Sequence, residues 1–96
     1  NGMIFTQNGV MNLRNKKWED DFTELDPCGT SFVDHHYTRA YVRHLIHAQE
    51  MLGLEILSIH NLAFYLWLVG EARKHILAGD FKAWKDEITP RLMQRM

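Results

Sequence analysis

Cys28 is the only thiol in the chain, which excludes an internal disulfide and any Cys-x-x-Cys pair for redox or zinc chemistry. A lone thiol fits a reducing compartment. Asp20 and Asp21 resemble the paired carboxylates of a general acid and base, but on a charged segment they read as a solvated face. None of the twelve acidic residues is assigned to chemistry on this pattern. His36, Arg39, Arg43 and His47 recur at i, i+3, i+7 and i+11, one face of a helix, and Arg14, Lys16 and Lys17 form a second basic cluster. Such groups hold phosphates in place without reading base sequence. The other reading is a solvated basic surface offset by Glu19, Asp20 and Asp21. Tyr37, Tyr41 and His44, at i, i+4 and i+7, form a helical stripe that serves either a core or a partly wet interface.

The 96 residues amount to one small domain or a piece of something larger. An apolar fraction of 46% excludes wholesale disorder. A net charge of −1 argues against a polyanion binder driven by bulk charge and leaves room for local basic patches. The longest unbroken apolar run, residues 62–69, is far short of a membrane span, and no basic-then-apolar signal opens the chain. The expectation is a cytoplasmic globular unit with no membrane partner.

These side chains need elements to position them. Residues 3–6 and 10–13, around Asn8-Gly9, read as a hairpin with a type I′ turn. A two-stranded hairpin is marginal alone and needs a sheet or helices to pack on. Trp18 and Phe22, four apart in a charge-dense stretch, suggest a short helix within residues 15–26, followed by a loop over residues 26–31. A helical pattern then runs from about Asp34 or His36 to Leu52, with Gly53 as its stop. Residues 54–78 form a long helix, apolar nearly all round over residues 62–69 and so expected to have protein on several sides. Gly79 ends it, Asp80 caps the next helix from Phe81 to about Thr89, and Pro90 threatens to split that helix. The long helix looks short of partners, a first hint of a missing remainder.

Five short motifs follow one another in order: Phe5-Thr6 with Asn12-Leu13-Arg14-Asn15, Leu25-Asp26-Pro27, Tyr37-Thr38-Arg39-Ala40-Tyr41, and Ile59-His60-Asn61-Leu62. Together they resemble the C-terminal part of the tRNA-guanine transglycosylases, the queuine or preQ1 tRNA-ribosyltransferases. The resemblance implies a (β/α)8-barrel pentosyltransferase that exchanges the wobble guanine of tRNAs with a GUN anticodon for a 7-deazaguanine. Its two aspartates, one a nucleophile, lie upstream of the counterpart to Asn1, so this chain is expected to contain neither and to be inactive alone. The resemblance also implies one structural zinc on a Cys-x-Cys-x-x-Cys loop and a later histidine. Without gaps, the three cysteine positions fall on Gly29, Ser31 and Asp34, and only His60 keeps its ligand identity. A rescued site would draw on Cys28, Asp34 or one of His35 and His36, with His60. The preferred reading is that the metal is lost, no cofactor is bound, and His60 is a buried or hydrogen-bonded histidine with Asp34 as a candidate partner.

The expected fold is therefore mostly α with an N-terminal β-hairpin, the C-terminal segment of a TIM-barrel enzyme with its usually zinc-binding subdomain. Residues 1–15 supply the hairpin, 16–36 the short helix and former zinc loop, and 37–96 the helical subdomain and last barrel helices. The resemblance places Asn1 at the tail of a loop touching the anticodon, supports Arg14, Lys16 and Lys17 just beyond it as tRNA contacts, and puts Tyr37, Tyr41 and His44 at a homodimer interface; Arg39 and Arg43 join the candidate tRNA contacts through their helical spacing. Two rivals stand beside this reading: a non-catalytic accessory subunit of the same fold, and a free-standing helical module that binds RNA or protein.

Overall fold

The computed structural model describes residues 2–96; Asn1, named above as a tRNA contact, lies outside the described residues. Strands β1 (Met3–Thr6) and β2 (Gly9–Asn12) form an antiparallel hairpin, followed by a 3-10 turn at Lys16–Trp18 and helices α1 (Val33–His36), α2 (Arg39–His47), α3 (Met51–Ala78) and α4 (Phe81–Met93). The mostly helical class with an N-terminal hairpin is what the sequence patterns led one to expect. At 1.5 Å per residue the 28 residues of α3 span about 42 Å, which sets the 46 Å long axis of the molecule.

The hairpin register pairs Ile4 with Met11 and Thr6 with Gly9, leaving Gln7 and Asn8 as the loop. The turn is thus one residue earlier than the Asn8-Gly9 signal suggested. Gly9, at φ +131°, opens β2, and Asn8 does not adopt positive φ. Thr6 makes this turn: its hydroxyl accepts from Asn8 N (3.1 Å) and donates to Gly9 O (2.9 Å). Ile4, Met11 and Leu13 are fully buried and face Trp18, Leu25, Val33, Val42, Leu45, Ile46, Ile56 and Leu57 in one core.

Several helix expectations need correction. Beyond Trp18 the chain is not helical: Phe22 is exposed, and the backbone is drawn out by bonds to the start of α2 (Ala40 N to Asp21 O, 2.9 Å; Leu25 N to Tyr37 O, 2.9 Å). The expected helix from Asp34 to Leu52 is broken twice. Thr38, with extended backbone, caps α2 through its side chain, and Gln49 at φ +58° turns the chain into α3. Gly53 is therefore not a stop. It lies buried in the first turn of α3, where a Cβ would stand 3.0 Å from Leu45 Cβ, so it permits close approach of α2. Gly79, at φ +81°, does end α3, but Asp80 gives no side-chain cap to α4, because its carboxylate accepts from His75 Nδ1 (2.8 Å). Helix α4 continues through Pro90 to Met93.

The buried residues of α3 are Gly53, Ile56, Leu57 and His60, an i, i+3, i+4, i+7 stripe confined to its first ten residues. Beyond it, Leu62, Tyr65, Leu66, Ile76 and Leu77 are each 60–82% exposed. By length and composition alone α3 meets what a membrane span requires, with a mean hydropathy of 1.5 over 18 residues, which the longest-run argument had missed. Its N-terminal third, however, packs into this chain's own core, and His60 and Asn61 near its middle bond to the hairpin.

Candidate functional site

Two helices, a loop and a strand converge on His60. The side chain continues the buried stripe of α3 and reaches the foot of β1, where Nε2 donates to Phe5 O (2.8 Å). On the other side Nδ1 donates to Asp34 Oδ1. Asp34 comes from α1, and both side chains are 1% exposed. With a carboxylate and a carbonyl as its partners, the ring is placed to donate from both nitrogens, as an imidazolium does. Burial works against that charge, but the hydrogen bonds to Asp34 and to the Phe5 carbonyl, with the charges of Asp34 and Asp26, hold its pKa above the ordinary value.

Asp26 completes a buried trio whose ligand-type atoms lie within 4.8 Å of one another. Burial pushes its carboxyl pKa up, the His60 charge opposes this, and the Asp34 charge adds to it. Asp26 Oδ1 accepts from Cys28 N (3.2 Å), which turns the loop. The remaining oxygen of Asp34 accepts from Ser31 N (3.1 Å), and Ser31 Oγ accepts from Val33 N (3.3 Å). A cavity of about 10 Å³ beside the trio is bounded by Gln7, Gly29, Thr30, Phe64 and Trp67.

Asn61, next on α3, works with His60. Its amide donates to Met3 O (3.1 Å) and accepts from Phe5 N (3.1 Å). The outward peptide groups of β1 are thus paired by two side chains in place of a third strand. Val10, opposite Phe5, is matched on the far edge, where its N–H donates to Gln94 O (2.8 Å) and its carbonyl accepts from Met96 N (2.9 Å). Both edges of a marginal hairpin are closed.

Of the residues weighed for a metal, the fold brings together Asp34 and His60, adds Asp26, and leaves out Cys28 and His35. Cys28 is exposed, with Asn8 Nδ2 3.9 Å from its sulfur. His35 is exposed and bonds Gly29 O (2.9 Å) and Glu24 (3.2 Å), contacts that raise its pKa. Asp26 was missed because Asp-Pro before a Gly-containing stretch reads as a turn. Its one legible sign was the carboxylate two residues before Cys28, the spacing of an Asx-turn.

The basic face is not one helix face, because the chain breaks at Tyr37-Thr38 between His36 and Arg39. Arg39 donates to Leu25 O (3.2 Å) and to Asp21 (3.1 Å) and lies over the Trp18 ring at 5.1 Å. Arg43 donates to Asn15 O (3.2 Å), with Glu19 at 3.9 Å, and His47 Nε2 stands 3.4 Å from Arg14 O. These groups bind α2 to the segment around Trp18. Lys16, Lys17 and Arg14 are exposed on the same segment, Lys17 over the Trp18 ring at 4.7 Å. Tyr37 closes α1 and stacks on Tyr41 of α2 (centroids 5.8 Å, planes 11° apart), while Tyr41 and His44 face outward.

The family model described as queuine tRNA-ribosyltransferase matches residues 1–94. A queuine tRNA-ribosyltransferase of Lactococcus lactis subsp. cremoris is 41% identical over 91 residues, covering 95% of this chain and 24% of the relative. One from Aquifex aeolicus is 36% identical over 95 residues, covering 99% of this chain and 25% of the relative. One from Acidithiobacillus ferrooxidans is 39% identical over 87 residues, covering 91% and 24%. The chain spans about a quarter of the length of the curated relatives it matches. A match that runs through the hairpin, the loop, the His60-Asn61 pair and α4 places this chain in the queuine tRNA-ribosyltransferase family.

Proposed function

We propose that this chain is the C-terminal scaffold of an enzyme that exchanges the wobble guanine of GUN-anticodon tRNAs for a 7-deazaguanine. The observation that carries the reading is the family match over residues 1–94, combined with a half-covered α3. From Leu62 onward that helix shows apolar side chains to solvent along several turns, a surface that monomeric proteins seldom leave open. The remaining three-quarters of a protein the size of its relatives would cover it.

In this role the chain positions and does not react. Asp21 is bonded to Arg39 and Thr23, and Asp26 and Asp34 are buried around His60. Tyr41 and His44 form the proposed dimer contact, and Arg14, Lys16 and Lys17 the proposed phosphate contacts. Arg39 and Arg43 contribute by holding that basic segment against α2. The test is incorporation of labelled guanine into tRNA by the protein that carries this chain, with GUN and non-GUN anticodons compared. Incorporation confined to GUN tRNAs is expected; none with either overturns the reading. Lys16→Ala should weaken tRNA binding and lower the salt slope of log K by about 1, and an unchanged slope removes Lys16 from the contacts.

A further inference from the structure

Three buried ligand-type groups around one point suggest a metal, and the family resemblance implies a zinc there, so the fit can be tested on the geometry. Two ligands of one tetrahedral zinc, each about 2.0–2.1 Å from it, stand about 3.3 Å apart. His60 Nδ1 and Asp34 Oδ1 are closer than that, in direct hydrogen-bond contact. The other imidazole nitrogen bonds to Phe5 O, so only Nδ1 could offer a lone pair, and that atom is engaged with the Asp34 carboxylate. No thiolate joins the trio, since Cys28 faces out and Ser31 Oγ is taken by Val33 N.

Gly29 is the most telling residue. A Cβ at this position would stand 2.0 Å from Asp34 Oδ2 and 2.3 Å from its Cγ. The carboxylate therefore fills the space that any side chain at position 29 would enter. Gly29 and Asp34 are complementary: the side chain absent from one makes room for the carboxylate of the other. The residues present do not fit a structural zinc.

We propose that in this protein a metal-free clamp, the Asp34 carboxylate seated against Gly29 and bonded to the His60 imidazole, locks the residue 28–36 loop to α3 and to β1. The clamp ties three separate parts of the chain, as a metal would. Asp34 is fixed to its loop by the Ser31 N–H, His60 belongs to α3, and the Phe5 carbonyl belongs to the hairpin. One proton on the imidazole serves where a cation would otherwise bridge the groups.

The experiment is metal analysis and thermal melting of the purified protein carrying this chain, with and without a strong zinc chelator. Sub-stoichiometric zinc and an unshifted melting temperature are expected. Stoichiometric metal, or a melting temperature lowered by the chelator, overturns the proposal. A second arm replaces Gly29, Ser31 and Asp34 together by cysteine, leaving His60 as the fourth donor. Gain of one tightly held zinc per chain supports the exchange of carboxylate for metal and thiolate. A folded triple variant that takes no zinc overturns that exchange, and the unsubstituted protein decides the matter if the variant does not fold. Neither arm depends on tRNA activity, so failure here is distinct from failure of the proposed function.

Discussion

Adding a single methyl group at Gly29 tests the clamp without removing any polar group. The φ of Gly29 is not in the left-handed region, so alanine carries no backbone penalty and the effect is steric. Its Cβ would meet Asp34 Oδ2 at 2.0 Å and the Asp34 Cβ at 2.7 Å, where ordinary contact begins at 3.4 Å. The carboxylate must therefore retreat by roughly 1 Å or more. It has little room to do so, being 1% exposed and held by Ser31 N and His60. If the ion pair gives way, a charge is left buried and unmatched, at a cost of about 3–5 kcal/mol. If the loop backs off instead, overpacking costs about 1–3 kcal/mol.

Gly29→Ala should thus lower stability by about 2–4 kcal/mol in urea unfolding. The same change in an Asp34→Ala background should cost at least about 1 kcal/mol less, because the opposing carboxylate is gone. A Gly29→Ala protein as stable as the parent would refute the reasoning, as would an equal cost in both backgrounds.

Other expectations follow from the same contacts. The His60 pKa is raised, so its contribution to stability is full below its unfolded value of 6.5 and is lost as pH climbs through the folded value. Asp26, also raised, acts in the same direction but from its lower unfolded value of 3.8 upward, and melting temperatures should fall as pH climbs above 6.5; a flat or rising profile there counts against the buried imidazolium. Asp21 behaves oppositely: burial opposes its ionisation, but the bonds from Thr23 and Arg39 prevail and lower its pKa, so its contribution disappears as pH falls through that lowered value. Arg39→Lys keeps the charge but cannot span Leu25 O, Asp21 and the Trp18 face together, so unfolding should become easier by about 1–2 kcal/mol, and an unchanged midpoint would show the fork to be dispensable. Asn61→Asp keeps the acceptor for Phe5 N but sets a carboxylate against Met3 O, and should cost about 1–3 kcal/mol in the same assay; a neutral result would mean that β1 does not depend on α3 for its outer edge.

The order of the elements was legible in the sequence because each rests on local chemistry. Gly79 needs left-handed backbone, the alternation around Ile4 and Met11 needs one buried face, and the run from Leu54 to Ala78 has no proline and a single glycine, Gly70. The breaks at Thr38 and Gln49 were not legible. The helical pattern runs on through both: Gln49 breaks it at a positive φ, and Thr38 through the competing pairing of residues 21–25 with the start of α2. The same long-range pairing straightened the stretch expected to be helical between Trp18 and Asp26. At the site, His60 and Asp34 stood out through the family motif. Asp26 and Asn61 sit in the family motifs too, yet their roles were not legible: the Asx-turn spacing of Asp26 to Cys28 does not foretell its burial beside His60, and the carbonyl that Asn61 meets lies 58 residues away.

The two halves of α3 divide the work of the segment. Up to Asn61 the helix satisfies polar groups and buries apolar ones within this chain, and it fixes the hairpin by Phe5 and Met3 on one edge while the C-terminal residues take Val10 on the other. Beyond Asn61 it makes few demands on its own chain and offers apolar surface to whatever lies alongside. Such an arrangement lets the clamp be set independently of the surface: His60 and Asn61 orient α3 through hydrogen bonds with strict geometry, and the exposed half then presents its side chains at a fixed angle. Loss of a metal at the clamp is tolerable only if that angle survives. The doubly bonded imidazole and the two-pronged amide supply four directional bonds at neighbouring positions on the helix, enough to hold its rotation about its own axis.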